Sequence, residues 1–390
     1  MKAKSPLFNE LRKGLNNLDI RTRKNGAIEL GLKRTPTNPQ TQAQQEWRDI
    51  YNLAVAAWNA LSPTEKAEYE QTGKPEGLPG YNVFMREYLL YPPTAIRYII
   101  SVYNPGSALS NFQVKLQVNN DSEFFSKIPN STGLEIKKTD KSTPLPFYVE
   151  TWDATGKNAT IWIKFDSIAA TGTTQAYIYY NQFRTQPLSS PSDVFDFWDD
   201  MNAQGSWRKI RVGGSGFAKW ENSYLKMKST DAFTEVDIAQ SLSNFAIDAK
   251  VYALNPVETF TPGATNGVYD SNGNPQYAYF YVWNGWSGQS NRQRIVRYLN
   301  YTSASIAQTS QGLLQSGSTY ILTAWRLNPG LKMFNNYSEI LNVNDTNITS
   351  HSYLCFLIYG NSSLQSEYWI DWVRVRKVCS QTLTVSYAKP

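Results

Sequence analysis

The chain has 390 residues, of which 41% are hydrophobic and 18% charged, with a formal net charge of +6, 25 Tyr and 12 Trp. That length is expected to divide into two or three domains, each able to bury its own core, and no run approaches the ~18 uninterrupted apolar residues of a membrane-spanning helix. One histidine and two distant cysteines exclude His-centred triads, multi-His metal centres and zinc fingers, so neither a metal nor a cofactor is expected.

Residues 1–34 hold nine Lys and Arg against Glu10, Asp19 and Glu29, while basic and acidic residues balance over the rest of the chain. Such an arm is expected to meet an anionic partner, nucleic acid among them, or to order against its own assembly. Its opening, MKAKSPLFNELRKG, has no apolar run that could serve as the core of a secretory signal. In LDIRTRKNGAIEL, apolar and polar residues alternate about Asn25-Gly26, which predicts a hairpin. Residues 1–40 are thus read as a basic arm with a hairpin.

A helix is expected next, because Trp47, Ile50, Tyr51, Ala54, Trp58 and Leu61 fall on one face at spacings of three and four. Ser62, Pro63 and Glu65 form the cap, first-turn proline and capping-box partner of a second helix. Gly73 ends it, and GYNVFMREYLL forms a third that Pro92-Pro93 stops. The stretch from TPTNPQTQAQQEW to GYNVFMREYL, which contains the 41–93 helical cassette, resembles, with the hairpin before it, a unit of about 75 residues that recurs in tailed-phage and prophage structural proteins, which implies anchoring to a particle. Its WNALSPTEKAEYE stretch is also similar to the second half of an HMG box, which implies DNA bending, although the basic first helix of that module is missing.

From Ala95 the period changes to two, in runs cut by Gly, Pro and Asn, as in a β-sandwich. TPLPFYVETW, ATIWIK and YIYYN resemble a family of uncharacterised β-sandwich domains of archaeal surface proteins. The usual closing Gly is missing and LEIKK replaces the usual Asp-Ile-Arg-Phe strand. Residues 94–190 are assigned to this domain. VFDFWDDM at 194–201 and YWIDWVRVRKV at 368–378 resemble the first and last strands of the concanavalin-type jelly roll of laminin-G-like domains. That resemblance covers 191–380, implies that those two strands lie side by side, and implies a glycan- or protein-binding scaffold. Residues 381–390 are read as a tail. The expected fold class is therefore mainly β: two β-sandwich or jelly-roll domains preceded by a basic β-hairpin arm and a small helical cassette.

Several stretches have the residue types for chemistry. EVDIAQ, from Glu235 to Gln240, is similar to the Glu-x-Asp-x-x-Glu strand of laminarinase-type glycosidases, where a retaining mechanism pairs two carboxyls. Gln240 replaces the second glutamate and cannot donate a proton at neutral pH, so no catalytic residue is assigned. An ordinary strand with its acidic residues facing water is the alternative. Tyr279, Tyr281 and Trp283 share one strand face, and Trp286 and Arg292 follow in a Gly/Ser/Asn-rich loop; together they could stack on and bond a sugar. The alternative is that the aromatics fill the core and Ala278, Phe280 and Val282 face outward. Asp270, Asn272 and Asn274 copy the start of a calcium loop, but Pro275 stands where Gly is required, so a turn is expected. Cys355 and Cys379 could form a disulfide or remain two thiols. His351 is read as a loop residue. Asn120, Asn130, Asn158, Asn300, Asn336, Asn344, Asn347 and Asn361 are sequons for N-glycosylation.

These features together predict a virion structural protein of an archaeal virus (spike, fibre, turret or capsid decoration). It would be made in the host cytoplasm and sit at the virion surface as a homo-oligomer. Residues 1–92 are expected to bind other virion proteins, and the β domains a host-surface glycan or protein. A carbohydrate-binding adhesin of a cell surface is the main alternative, ahead of a glycosidase or an HMG-like DNA-binding protein.

Overall fold

The computed structural model describes residues 18–22, 28–32, 41–90, 96–182, 184–212, 215–230, 232–256, 259–284, 292–311, 313–360 and 365–390. The Asn25-Gly26 turn, Pro92-Pro93, Trp286 and Asn361 lie outside them. The chain divides into two units, Met1–Pro92 and Pro93–Pro390.

In the first unit, Leu18–Thr22 and Ile28–Leu32 pair antiparallel, from Leu18 opposite Leu32 to Thr22 opposite Ile28. Helices follow at Gln42–Ala60, Pro63–Gly73 and Gly80–Leu90. The Thr41 hydroxyl accepts from the Gln44 amide. Ser62 and Glu65 close the capping box, each side chain accepting from the other's amide. Trp58 packs edge-on against Tyr69 and Tyr81 and tilted against Phe84, which fixes the C-terminal half of the first helix. The predicted apolar face is not buried along its whole length. Trp47 and Tyr51 are 58% and 48% exposed, because that aromatic cluster engages the face only near Trp58.

The second unit contains two sandwiches. In the smaller, a four-stranded sheet ordered Thr384–Ala388, Ile96–Asn104, Gly172–Tyr180, Leu134–Lys138 faces a three-stranded sheet of Leu109–Val118, Asn158–Ile168 and Phe147–Asp153. Alternation places Ile100, Val102, Val114, Leu116, Ile161, Ile163 and Ile178 between them. In the larger, the jelly roll, a seven-stranded and an eight-stranded antiparallel sheet stack on a core that includes Val236, Phe260, Ile295, Phe356 and Val373. Its first strand, Phe197–Asp199, pairs with its last, Ser366–Arg376, as the jelly-roll resemblance implies.

The residues after 380 are not a tail: Thr384–Ala388 pairs with the first strand of the smaller sandwich, from Thr384 opposite Tyr103 to Ala388 opposite Ile99. Leu383, Val385 and Tyr387 pack on its core. The jelly roll is thus an insertion between the last two strands of the smaller sandwich. His351 is not in a loop. It opens the His351–Gly360 strand, is buried beside Phe245 and Tyr279, and burial lowers its pKa to about 3, with Arg326 acting in the same sense.

Both ends of the insertion meet Gln113 of the smaller sandwich. Its amide donates to the Val194 carbonyl and the Asp196 carboxylate, and its oxygen accepts from the Lys377 amide. The domains are joined mainly through Arg374, which is fully buried. Arg374 donates to Asp248 (2.8 Å), lies 2.9 Å from Glu150 and donates to the Tyr337 hydroxyl (2.7 Å). Its guanidinium also lies 4.5 to 4.8 Å from the ring centres of Trp162, Phe195 and Trp372. Glu150 reaches this point because it is the extra residue of a β-bulge between Val149 and Thr151, a device that re-aims a side chain. Burial alone would raise the pKa of Asp248, but Arg376 and Arg374 hold it well below the usual carboxylate range.

Arg374→Met is expected to cost about 3–5 kcal/mol, because it leaves Glu150 and Asp248 buried without their shared cation. Arg374→Lys, which keeps the charge but loses the fork, should cost less. Urea denaturation of the two variants beside the parent checks this. A second expectation concerns acid. The His351 pKa is depressed on folding, so the unfolded chain takes up the proton first, and stability falls as pH drops from about 6.5 toward 3. At pH 5 the loss from this group is about 2 kcal/mol, and the difference in pH slope between the parent and His351→Leu should report it.

Candidate binding site at the seam of the two β domains

The acidic strand does not face water. Glu235 and Asp237 lie on the outer face of the seven-stranded sheet, and both are fully buried. The adjacent strand supplies an arginine in register with each, Arg208 opposite Asp237 and Arg211 opposite Glu235. Arg208 binds Asp237 through two bonds of 2.8 and 2.7 Å, and Arg211 binds Glu235 at 3.0 Å. From the turn at 266–276, the Tyr269 hydroxyl reaches both carboxylates. Desolvation raises the Glu235 pKa to about 7, with Arg211 and Tyr269 opposing it. Each carboxylate is therefore held by a guanidinium and covered by a phenol. Gln240 lies within an irregularity of the pairing, between Ala239 and Leu242.

The aromatic strand is core. Tyr279, Tyr281 and Trp283 are fully buried between the two sheets, which removes them from the ligand site expected of them. The Tyr279 hydroxyl donates to Asp345 and that of Tyr281 to the Trp325 carbonyl, so their polar ends are satisfied inside. The opposite face is buried as well, because Ala278, Phe280 and Val282 form a second cluster with Val296, Tyr298, Cys355 and Leu357. Arg292 donates to the Gln308 side chain. Cys355 and Cys379 are separate thiols. Cys355 belongs to that outer cluster of the jelly roll while Cys379 packs on the core of the smaller sandwich. Asp270 accepts from the amides of Asn272 and Asn274, which makes its segment a turn. Asn120, Asn130, Asn158, Asn300, Asn336, Asn344 and Asn347 are all exposed. At Asn300 and Asn336 the backbone supplies another reason for asparagine: each opens a two-residue hairpin turn with φ of 47° followed by a Tyr at 67°, and Asn tolerates that left-handed region.

The second of those turns places Tyr337 at the seam between the domains. There the phenol donates to Glu150, and the ring lies 3.3 Å from the Lys115 ammonium. Beside it the domains leave a cleft of about 340 Å³, lined by Lys115, Trp162, Tyr337, Trp325, Arg376 and Gln381 among others. Trp325, Cys379 and Gln381 also line a neighbouring hollow, which continues to Pro329, Lys332 and Phe334. Trp325 faces outward because the adjacent Ala324 takes the inward position on its strand, and Lys332 lies 5.4 Å from the centre of its ring. The buried part of the seam brings three cations, Lys115, Arg374 and Arg376, to two carboxylates, Glu150 and Asp248. Arg374 and Arg376 are paired; Lys115 forms no ion pair among the described residues. Burial lowers its pKa to about 8, with Glu150 opposing and Arg374 and Arg376 reinforcing. Sequence reading singled out none of these residues. The Trp in TAWRL and the alternation of LTVSYA are the only local signals that bear on them, and neither names the cleft.

Residues 130–223 match a family described as a domain of unknown function, DUF2341. The matched stretch runs from the smaller sandwich across the seam into the jelly roll and includes Glu150 and Trp162. No curated protein matches the chain. Among solved structures, the chain is similar to the carbohydrate-binding module CBM66 from Bacillus subtilis, at 10% identity over 44% of this chain and 96% of that one, with a TM-score of 0.34. It is similar to a protein of unknown function with a galectin-like fold from Bacillus subtilis, at 11% identity over 47% and 96%, with a TM-score of 0.38. A Bacillus licheniformis beta-glucanase is 12% identical over 47% and 98%, with a TM-score of 0.37. The fold assignment rests on this chain's own strand order.

Proposed function

We propose that the 93–390 unit is a glycan-binding module of a surface protein, with the seam cleft as its site, and that it is not a hydrolase. The observation that carries this reading is a contrast between two places. The cleft offers a half-buried Trp325 and an ammonium without an ion pair among the described residues, in a volume suited to a small ligand. The carboxylates of the seven-stranded sheet, where a retaining glycosidase would need a nucleophile and an acid, are instead covered and bound by arginines. The basic hairpin arm and the helical cassette would attach this module to a larger assembly. The exposed Trp47 and Tyr51 support a packing partner there. The phage-cassette resemblance favours a virion surface over a cell envelope as that assembly.

The test is calorimetric titration of the full chain with neutral and acidic oligosaccharides, beside an assay for released reducing ends. Saturable binding is expected without release, and Trp325→Ala should weaken it about tenfold or more, as loss of a stacking aromatic does. Release of reducing ends that Glu235→Gln abolishes, or binding indifferent to Trp325→Ala, would count against the reading.

A further inference from the structure

We infer that the seam cleft selects a sugar bearing a carboxylate or sulfate group, with the anion on Lys115 and the sugar ring against Trp325. This rests on the reading of the cleft as a glycan site and assigns its ligand class. Three observations lead to it. The first is the charge count at the seam, where Glu150 and Asp248 are already taken. Glu150 is bonded by Trp162 and Tyr337 and lies in ion-pair contact with Arg374, while Asp248 accepts from Thr323, Arg374 and Arg376. One positive charge is left over, on Lys115.

The second is the setting of that charge. Lys115 extends over the Tyr337 ring, 3.3 Å from its centre and 6.0 Å from that of Trp162. A ring face offsets part of the lost hydration of an ammonium but cannot replace a counter-ion. An anion entering the cleft would supply one in a place where solvent screens it poorly. The third is the lining of the adjoining hollow, in which Glu339 is already paired with Lys332 at 2.7 Å. No free carboxylate of a described residue repels an anion there. A neutral sugar would gain the ring contact alone.

A bound anion would favour the charged form of Lys115, whose pKa in the free protein is lowered to about 8. Binding should therefore take up protons near that pH and weaken as pH rises beyond it.

The experiment compares, for the full chain, an oligosaccharide containing uronate or sulfate ester with its neutral counterpart, by calorimetry at pH 7 and pH 9. At pH 7 the acidic ligand is expected to bind at least tenfold more tightly. Lys115→Met, and Lys115→Gln as a second variant, should bring it down to the neutral ligand's affinity with an unchanged melting temperature. The parent's affinity for the acidic ligand should fall between pH 7 and pH 9, and that of the variants should not. Equal affinity for the two ligands, or an acidic preference that survives both variants, would overturn this inference while leaving glycan binding in place. Failure of every oligosaccharide to bind the parent would overturn the functional reading, and the ligand class with it.

Discussion

Arg374 carries a full charge on a fully buried side chain, and the β unit is arranged so that this is tolerable. Moving a guanidinium into a protein interior costs several kcal/mol even after relaxation. Here the cost is offset by two carboxylates, a phenol and three ring faces drawn from both domains. Neither domain could supply that set alone. Asp248 and Tyr337 belong to the jelly roll, Glu150 and Trp162 to the smaller sandwich, and the bulge at Glu150 and the left-handed turn at Tyr337 bring them together. Non-glycine residues in such turns are disfavoured by sterics, and at Tyr337 the bonds of the phenol to Glu150 and Arg374 offset part of that cost. The seam cleft and its surplus positive charge are a by-product of the same arrangement.

Two clusters of buried charge thus sit on the outer faces of the two jelly-roll sheets, and they differ in balance. Around Glu235 and Asp237 each acid has its own arginine, and Tyr269 lies over both. Around Arg374 the cations outnumber the acids and one face opens to a cleft. A retaining glycosidase needs an ionised carboxylate within reach of a sugar, with a protonated partner opposite. A lectin-like site needs apolar ring surface and donors already freed from internal partners. In the first arrangement both carboxylates are buried and bound by arginines, whereas the second has a half-buried ring and an ammonium without an ion pair among the described residues.

The local devices were legible in the sequence because each is written within a few residues. They include the capping box of Ser62 and Glu65, the pairing of Leu18–Thr22 with Ile28–Leu32, the period-two runs of both sandwiches and the matching first and last strands of the jelly roll. What escaped depends on register or on distant pairing. Nothing local says that Arg208 and Arg211 stand opposite Asp237 and Glu235, so an acidic alternation read as a solvent-facing strand. The aromatics of the Tyr279 strand do fill the core, but its other face is buried too, which alternation alone does not show. His351 looked like loop because of the polar run before it. Leu383, Val385 and Tyr387 do alternate, but the partner strand lies at the other end of the β unit, and such pairing leaves no mark beside the residues themselves. The seam site depends on that pairing and on the bulge at Glu150, which is why none of its residues stood out.

The insertion also sets an order of events during synthesis. Tyr387 bonds Asp121 across 266 residues of chain, and the strand it belongs to is made after the jelly roll. While the ribosome is still adding the jelly roll, the Ile96–Asn104 strand has one edge without a partner, and an open edge is a template for pairing with another chain. The jelly roll has all its strands before the smaller sandwich does, so it can fold as a unit first. Gln113, bonded to both ends of the insertion, then brings the last segment back toward that edge. Of the two β domains, the one begun first is completed after the other, and its edge stays open for at least as long as translation of the whole jelly roll takes.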